Sequence, residues 1–359
     1  MKSTTLAFGA FGLALFMGAC GGDDSNGGGG GTSDGGVAAN DGGGSRSDAG
    51  GGGEGGARTD GGGTTTDGGG GPSGQSPVIA GCEVFPADNV WNTRIDDTNK
   101  FKVHPQWGAY QPNMAPSRAL HADWGDWSTN KYGIPWQTVS GTQAKLPIAF
   151  TYASESDPGP YPFPLDVHIE PGDQHAIVLD TATCTIYESY NTTVSGGGFH
   201  ADSGAKFDLH SNALRTDGFT SADAAGLPIL PGLVRYAEVK AGEIRHAMRF
   251  TMNRSQNAYI HPAVHAAGSV NAALPPMGLR MRLKASFDLS RFSGEALVVL
   301  RAMKKYGLIL ADNGSDWYVS GDSDDAWTPV IDNINQAFNA LHGSDFEAID
   351  TGPLSTAGL

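Results

Sequence analysis

A glycine-rich segment at residues 21–76 decides how much of this chain can fold. It holds 26 of the 53 glycines, eight acidic residues and two arginines, and it contains no aromatic residue. Such a segment buries too little apolar surface to offset the entropy lost on ordering, so we predict that it is disordered. About 283 residues, 77–359, remain for a folded part that can bury a full core.

Charge and motifs exclude several classes of partner. Three of the 23 basic residues and eight of the 38 acidic residues precede residue 77, which leaves the folded part with a net charge of −10. Nucleic acid binding depends on clustered Lys and Arg, so we expect no nucleic acid partner. Neither a G-x-G-x-x-G fingerprint nor a G-x-x-x-x-G-K-[ST] loop supports a nucleotide or flavin cofactor, whereas a divalent metal stays open.

The first twenty residues have the organisation of an export signal. Lys2 precedes an apolar stretch of about a dozen residues, 6–17, which is shorter than a bilayer of about 30 Å requires. Small residues follow, and then Cys20. This arrangement resembles the bacterial lipoprotein signal, in which the cysteine is acylated and the chain is cut before it.

The resemblance implies where in the cell envelope the protein is located. It places a signal peptide at 1–19, a lipid anchor on Cys20 and a tether at 20–76 that holds an exported domain at the membrane. Gly21 after the anchor favours the outer membrane of a Gram-negative bacterium. An ordinary secretory signal with an incidental cysteine is the alternative.

Two further cysteines, Cys82 and Cys184, lie in the folded part. An exported protein matures in an oxidising compartment, so we predict that they form a disulfide. Two free buried thiols are the alternative.

Hydrophobic periodicity predicts a β-rich domain. The segments that we predict as strands are residues 145–152, 165–170, 174–180, 184–190, 244–252, 279–287, 307–311 and 316–320. Helices are predicted from Ser293 to Gly307, over 328–341 and, in a shorter form, over 232–239. We therefore expect a single α+β domain at 77–359, built on an antiparallel β-sandwich or jelly-roll-like core with two late helices.

Short segments along the body resemble a family of secreted bacterial proteins to which no activity is assigned. These segments are residues 85–91 (FPADNVW), 156–162 (SDPGPYP), 244–247 (IRHA), 304–307 (KKYG) and 314–318 (GSDWY). The resemblance implies one exported domain and says nothing about mechanism.

A histidine lies two residues from an aspartate in several places. Three of these pairs are candidates for chemistry: His121 with Asp123, Asp166 with His168, and His200 with Asp202. Residues i and i+2 share one face of a strand, so each pair would place an imidazole beside a carboxylate, as acid–base chemistry or metal binding requires. An exposed strand face without function is the alternative.

The strongest candidate is the strand predicted at 165–170, because it adds Glu170 to Asp166 and His168. About 13 Å of backbone would separate its two acids, which is too far for an acid–base couple, so a partner must come from another segment. The glycine-flanked run that holds His200 and Asp202 is the expected source. Convergence of these groups in one pocket would favour an enzyme, and scatter would favour a non-catalytic binder.

Basic residues on two predicted strands suggest a second surface. Arg245, Arg249, Arg280 and Arg282 would form a carboxylate-binding face, with solvated sheet surface as the alternative. His246 would face the other way among apolar residues, where it is a further catalytic candidate or, alternatively, a hydrogen-bonded core residue.

His261 and His265 have the i, i+4 spacing that pairs two imidazoles on one helical turn. The run lacks the Glu of H-E-x-x-H, and Pro262 fits only a first turn, so a zinc protease is not expected. A metal site that uses these two histidines remains a candidate.

Trp124 and Trp127 lie among acidic and glycine residues, so we predict that they are not both buried. Aromatic faces beside carboxylates are typical of carbohydrate sites, and we predict that these two tryptophans and Glu170 contact a sugar. Core packing is the alternative.

These observations favour a lipid-anchored envelope enzyme that acts on a polysaccharide by hydrolysis or β-elimination. His200 or His168 would be the acid or base, Asp166 and Asp202 would orient or transfer protons, and Arg245 would bind a uronate. The alternatives are a non-catalytic lipoprotein that binds glycan or protein, and a metal-binding protein.

Overall fold

The computed structural model describes residues 76–359. The signal peptide expected at 1–19, the lipidated Cys20 and the tether at 20–76, apart from its last residue, lie outside the described residues and stay predictions. Between residues 76 and 359, no helix is both long and apolar enough to cross a membrane.

Short strands make up most of the regular structure in the described part. They are β1 (Val78–Ile79), β2 (Cys82–Glu83), β3 (His121–Gly125), β4 (Gln137–Val139), β5 (Ile148–Phe150), β6 (Ala176–Asp180), β7 (Thr185–Tyr190), β8 (Thr193–Ser195), β9 (Gly198–Ala201), β10 (Ser203–Asp208), β11 (Met248–Met252), β12 (Tyr259–Ile260), β13 (Arg280–Leu283), β14 (Leu308–Asn313), β15 (Tyr318–Ser323), β16 (Phe346–Ile349) and β17 (Leu354–Ser355).

The α-helices of residues 76–359 are α1 (Trp107–Tyr110), α2 (Tyr236–Ala241), α3 (Gly294–Lys305) and α4 (Ile331–Asn339). Short 3₁₀ turns lie at Gln111–Asn113, Leu230–Gly232, Asp325–Trp327 and Gly343–Asp345. The two predicted late helices are confirmed as α3 and α4. The β-rich α+β class is therefore confirmed as well.

The strands form three main sheets. A six-stranded sheet has the order β16-β13-β14-β11-β15-β3, a four-stranded sheet has the order β10-β7-β6-β4, and a three-stranded sheet has the order β5-β9-β8. Every residue of β6 is buried. Ile177 and Leu179 pack into the core of the six-stranded sheet, whereas Ala176 and Val178 pack with Phe199 of the three-stranded sheet. The four-stranded sheet is thus buried on both faces.

The sheets combine antiparallel with parallel pairing. Strand β11 pairs in parallel with β14, and β15 pairs in parallel with β3, so the six-stranded sheet is mixed. These partners come from distant parts of the chain. Alternation in a sequence predicts which face of a strand is buried, but it does not identify the neighbouring strand.

The prediction of a strand at 165–170 is wrong. The predicted hairpin that follows it is confirmed as β6 and β7. Pro164 and Pro171 flank the segment, and neither can donate a backbone hydrogen bond to a ladder. A turn begins at Leu165, whose side chain is 53% exposed, and only Ile169 makes a bridge, to Ala176. The side chains of this segment therefore do not line one strand face.

The predicted disulfide between Cys82 and Cys184 is confirmed, with an S–S distance of 2.06 Å and a Cα–Cα distance of 5.5 Å. It joins β2 to the residue before β7 and closes a loop with a sequence separation of 102.

We expect the double variant Cys82→Ala and Cys184→Ala to lose about 2–4 kcal/mol of unfolding free energy, because the crosslink restricts the unfolded chain. Chemical denaturation of the oxidised wild type and the variant measures this loss. Wild type treated with dithiothreitol is the control and should match the variant. Equal denaturation midpoints for oxidised wild type and variant would contradict the expectation.

Candidate functional site

Strand β3 supplies the first part of the site because its residues alternate between two faces. Trp124 is buried on the face that packs against α4, where its ring lies 5.6 Å from the ring of Phe338. His121 and Asp123 lie on the opposite face and are half-buried, as the i, i+2 spacing predicts. Of the three candidate His/Asp pairs named above, this one lies within a single strand.

Tyr132 returns from the loop after β3 to contact both residues of this pair. Its hydroxyl lies 2.8 Å from His121 Nε2. Burial raises the pKa of Asp123 above its ordinary value, and a hydrogen bond from Tyr132 opposes part of that rise. Burial also lowers the pKa of His121. Both shifts favour the uncharged forms of the pair.

Arg249 in β11 extends the same face across the neighbouring strands. Ser320 of β15 pairs with Asp123, and its Oγ accepts a hydrogen bond of 2.8 Å from Arg249 Nη1. Arg249 Nε and Nη2 donate to Asp223 Oδ2 at 3.2 and 2.8 Å. The side chains of Arg249 and Asp223 are 4% and 0% exposed, so this ion pair is buried.

A β-bulge brings Asp312 to the same face. The pairing of β11 with β14 shifts by one residue, so that Thr251 lies opposite Asp312 and Ala311 is an extra residue. In an unbroken strand Asp312 would share the face of Leu310, but the bulge turns it to the Arg249 face. Its Oδ2 lies 3.8 Å from Arg249 Nη2, and its side chain is 24% exposed.

Glu170 and His175 complete the group from the turn that precedes β6. His175 Nδ1 donates to the Glu170 carboxylate, and Nε2 donates to the carbonyl of Ala222 at 2.9 Å. Ala222 is next to Asp223, which ties this turn to the buried ion pair. We use the name Arg249 cluster for Asp123, Glu170, His175, Asp223, Arg249 and Asp312.

Burial governs the titration of the Arg249 cluster. Burial, together with the charge of Asp223, raises the pKa of Asp312 to about 7. Burial lowers the pKa of His175, but the charge and the hydrogen bond of Glu170, together with the charge of Asp173, outweigh burial and bring that pKa to about 9. Near neutral pH the cluster thus contains a partly exposed carboxyl that holds a proton beside a fixed imidazolium–carboxylate pair.

Tyrosine rings border the Arg249 cluster. The Tyr318 ring stacks on His121 with centroids 4.1 Å apart, and the Tyr190 ring lies 5.7 Å from His175. Burial, and after it the charges of Asp173 and Asp312, raise the pKa of Tyr190. Tyr132 is 38% exposed. The accessible edge of the cluster is therefore aromatic and acidic.

The residues that the sequence singled out for catalysis do not converge. His168 is exposed, and its ring stacks on Trp127 with centroids 4.8 Å apart. His200 lies in β9 of the three-stranded sheet, and Asp202 accepts hydrogen bonds from Thr151 and Asn191. Within residues 76–359 no hydrogen bond or ring contact joins these three residues to one another.

Two further catalytic candidates, Asp166 and His246, do not have the surroundings that were predicted for them. Asp166 lies exposed in the turn that replaces the predicted strand. His246 is fully buried, and its ring nitrogens contact Glu238, Arg235 and the carbonyl of Ala247. The alternative of a hydrogen-bonded core histidine is therefore the correct one.

The predicted carboxylate-binding face of four arginines is also wrong, and so is its alternative of a solvated sheet surface. Arg249, Arg280 and Arg282 are buried, because each is bonded to carboxylates or carbonyls inside the protein. Arg245 precedes β11 and is partly exposed, with its Nε 4.0 Å from Glu243. The four side chains thus do not form one binding surface.

Trp124 is fully buried, so its predicted contact with a sugar is wrong. Gly321 in β15 makes room for it, because a Cβ at that position would lie 2.7 Å from the indole. Trp127 is half-buried on the next loop, held by hydrogen bonds from its own and the following backbone N–H to Asp325. The expectation that the two are not both buried is confirmed.

The predicted histidine metal pair is not assembled. The peptide bond between His261 and Pro262 is cis and lies in a turn, so no helical turn aligns the two rings. His261 Nε2 contacts Asp217 at 2.9 Å, whereas His265 Nδ1 donates to the carbonyl of Ala224.

Another set of side chains has the composition of a metal site. In the described part of the chain, the residues whose possible ligand atoms lie within 4.8 Å of one another are Glu170, Asp173 and His175. Both ring nitrogens of His175 already donate hydrogen bonds. No lone pair of that imidazole is therefore free for a metal.

No family model, curated protein or solved structure matches this chain. The lipoprotein signal and the likeness to secreted bacterial proteins therefore stay predictions. The site has to be interpreted from its own geometry.

Sequence reasoning found part of the Arg249 cluster and missed the rest. It singled out the pairing of His121 with Asp123, and it named Glu170 and Arg249 in other roles. No sequence motif marks Asp312 or Asp223. The position of Asp312 depends on a β-bulge, and that of Asp223 depends on a loop. The run at 174–180 does signal that His175 precedes a buried strand.

Proposed function

We propose that the protein is an envelope enzyme that hydrolyses glycosidic bonds of a neutral polysaccharide at the Arg249 cluster. The observation that carries this proposal is the partly exposed carboxyl of Asp312, which the β-bulge turns toward the buried Arg249, 3.8 Å from its Nη2. Export and lipid attachment at Cys20 rest on the sequence alone.

Asp312 is the general acid in this proposal. It protonates the glycosidic oxygen as the carbon–oxygen bond breaks. A water molecule adds to the anomeric carbon and releases its proton to solvent, so the products are two sugar chains and one new reducing end. Arg249 stabilises the Asp312 carboxylate that forms during the step.

Strand spacing does not pair Asp312 with Asp123 as an acid–base couple. Strands β14 and β3 are separated by β11 and β15, which corresponds to about 14 Å between their backbones. The two carboxyl groups lie about 5–5.5 Å apart in retaining enzymes and about 6.5–9.5 Å apart in inverting enzymes. The proposal therefore assigns the acid alone, and the stereochemistry of the product is read from the test.

Charge favours hydrolysis over β-elimination. Elimination from a uronate needs free cations to neutralise the sugar carboxylate. Arg249 and His175 are bonded to Asp223 and Glu170, and the cluster has more carboxyl groups than cations. A neutral sugar fits this site better than a uronate, which replaces the uronate role proposed for Arg245.

The test is a screen of purified protein on neutral and uronate polysaccharides with detection of new reducing ends. We expect release of new reducing ends from a neutral glycan, and NMR of the products determines whether the anomeric centre is inverted or retained. Because Asp312 must hold its proton, kcat/KM should fall above about pH 7. Glycan binding without release on every polysaccharide would instead favour the non-catalytic lipoprotein. Unsaturated products would favour elimination.

A further inference from the structure

A basic cavity opens at the β16 edge of the six-stranded sheet. It has a volume of about 370 Å³, and its charged lining residues are Lys102, Arg282, Lys284 and Glu347. It lies beside β13 and β16, whereas the Arg249 cluster takes its sheet residues from β14, β11 and β3. Nothing in the proposed hydrolysis uses this cavity.

Hydrogen bonds to backbone carbonyls and to the Glu347 carboxylate hold the cations of this cavity in place. Arg282 in β13 lies opposite Glu347 in β16, and its Nε and Nη2 both donate to Glu347 Oε1 at 2.8 Å. Arg282 Nη1 donates to the carbonyl of Ile95 at 2.6 Å. Lys284 follows two residues later, and its Nζ donates to the carbonyl of Ser344 at 2.7 Å. The guanidinium is thus fixed on the floor of the cavity.

Lys102 approaches from a different segment. The backbone of 102–104 runs beside β16, with the His104 N–H donating to Ala348 and the Asp350 N–H donating to Lys102, both at 2.9 Å. Lys102 Nζ donates to the carbonyl of Thr98 at 3.1 Å. An ammonium has three donors, so both lysines can donate further hydrogen bonds into the cavity.

The local charge is opposite in sign to that of the whole chain. Three cations and one carboxylate give the cavity a net charge of +2, whereas the chain has −15. Residues 280–305 contain seven basic and two acidic residues, so the charge excess extends beyond the cavity. A dianionic phosphate matches this charge better than a carboxylate does, and its oxygens accept from both lysine and arginine.

We propose that this cavity binds a phosphate group, with Lys102 and Lys284 contacting its oxygens above the fixed charge of Arg282. The phosphate belongs either to a soluble ligand, such as a phosphorylated sugar, or to a lipid headgroup. The proposal is independent of the glycosidase proposal.

Isothermal titration calorimetry of the full chain with inorganic phosphate and pyrophosphate tests this site. We expect saturable binding that weakens about tenfold in Lys102→Gln and in Lys284→Gln, because each variant loses one charged hydrogen bond. Lys240→Gln, an exposed lysine of α2, is the matched control and should bind as wild type does. Glu347→Gln keeps an acceptor oxygen for Arg282 but removes the opposing charge, so it should bind more tightly.

Co-sedimentation with phosphatidylglycerol vesicles identifies the source of the phosphate. If the protein binds inorganic phosphate or pyrophosphate, the ligand of the cavity is a soluble phosphate compound. Vesicle binding that requires Lys102 and Lys284, without binding of soluble phosphates, assigns a lipid headgroup. The proposal is overturned if wild type binds none of these probes, or if Lys240→Gln weakens binding as much as the two cavity variants do.

Discussion

Asp312→Asn is expected to lower kcat on the hydrolysed glycan by about 10²–10⁴-fold, the range that a positioned general acid contributes. Asparagine has nearly the same shape and can still accept the hydrogen bond of 2.7 Å from the Asn313 N–H. It cannot give a proton to the leaving oxygen. KM should change little, because the substrate still contacts the same surface.

The pH profile separates this role from a structural one. Burial and the charge of Asp223 raise the pKa of Asp312 to about 7, so wild-type activity should decline as the pH rises through that value. The residual activity of Asp312→Asn should lack this decline. Asp332→Asn, at an exposed position in the first turn of α4, is the matched control and should keep wild-type kcat. Full activity in Asp312→Asn would exclude it as the acid.

Arg249→Met is expected to lower the unfolding free energy by about 3–5 kcal/mol, because it leaves the fully buried Asp223 without its cation. Chemical denaturation at pH 8 measures the loss. Without the guanidinium, the pKa of Asp223 in the folded protein should rise further above that in the unfolded chain. The stability of the variant should therefore improve as the pH falls toward about 4, the pKa of an aspartate in the unfolded chain, because Asp223 in the folded variant is protonated before that pH is reached.

A double-mutant cycle isolates the interaction between the two groups. Asp223→Asn removes the buried charge and keeps an oxygen that can accept from the Ala225 N–H. Combining it with Arg249→Met should recover part of the stability that the single arginine variant loses at pH 8. If Arg249→Met alone unfolds with the wild-type midpoint, the ion pair does not hold the cluster together.

Several features of the fold could be predicted because they depend on local pattern. The alternating run at 174–190 predicted the hairpin of β6 and β7, and Ser293 with helical spacing predicted α3. The prediction at 165–170 failed although its alternation was just as regular. Its flanking prolines prevent ladder pairing, and Glu170 consequently contacts His175 across a tight turn.

The candidate site was only partly predictable for the same reason. Spacing placed His121 and Asp123 on one face, because both lie in one strand. Spacing also predicted that neighbouring segments bring His168, His200 and Asp202 together. The structure does not bring them together. Burial of Arg249 could not be foreseen, because its partner Asp223 lies in a loop that no periodicity describes.

The sequence by itself determined the disulfide pairing, the β-rich class, the late helices and the face shared by His121 and Asp123. These features follow from residue spacing within short segments and from the number of cysteines. Only the tertiary structure decided that Asp312 lies beside Arg249. The extra residue Ala311 reverses the face of the strand after it, and a bulge forms from the register of two strands far apart in the chain.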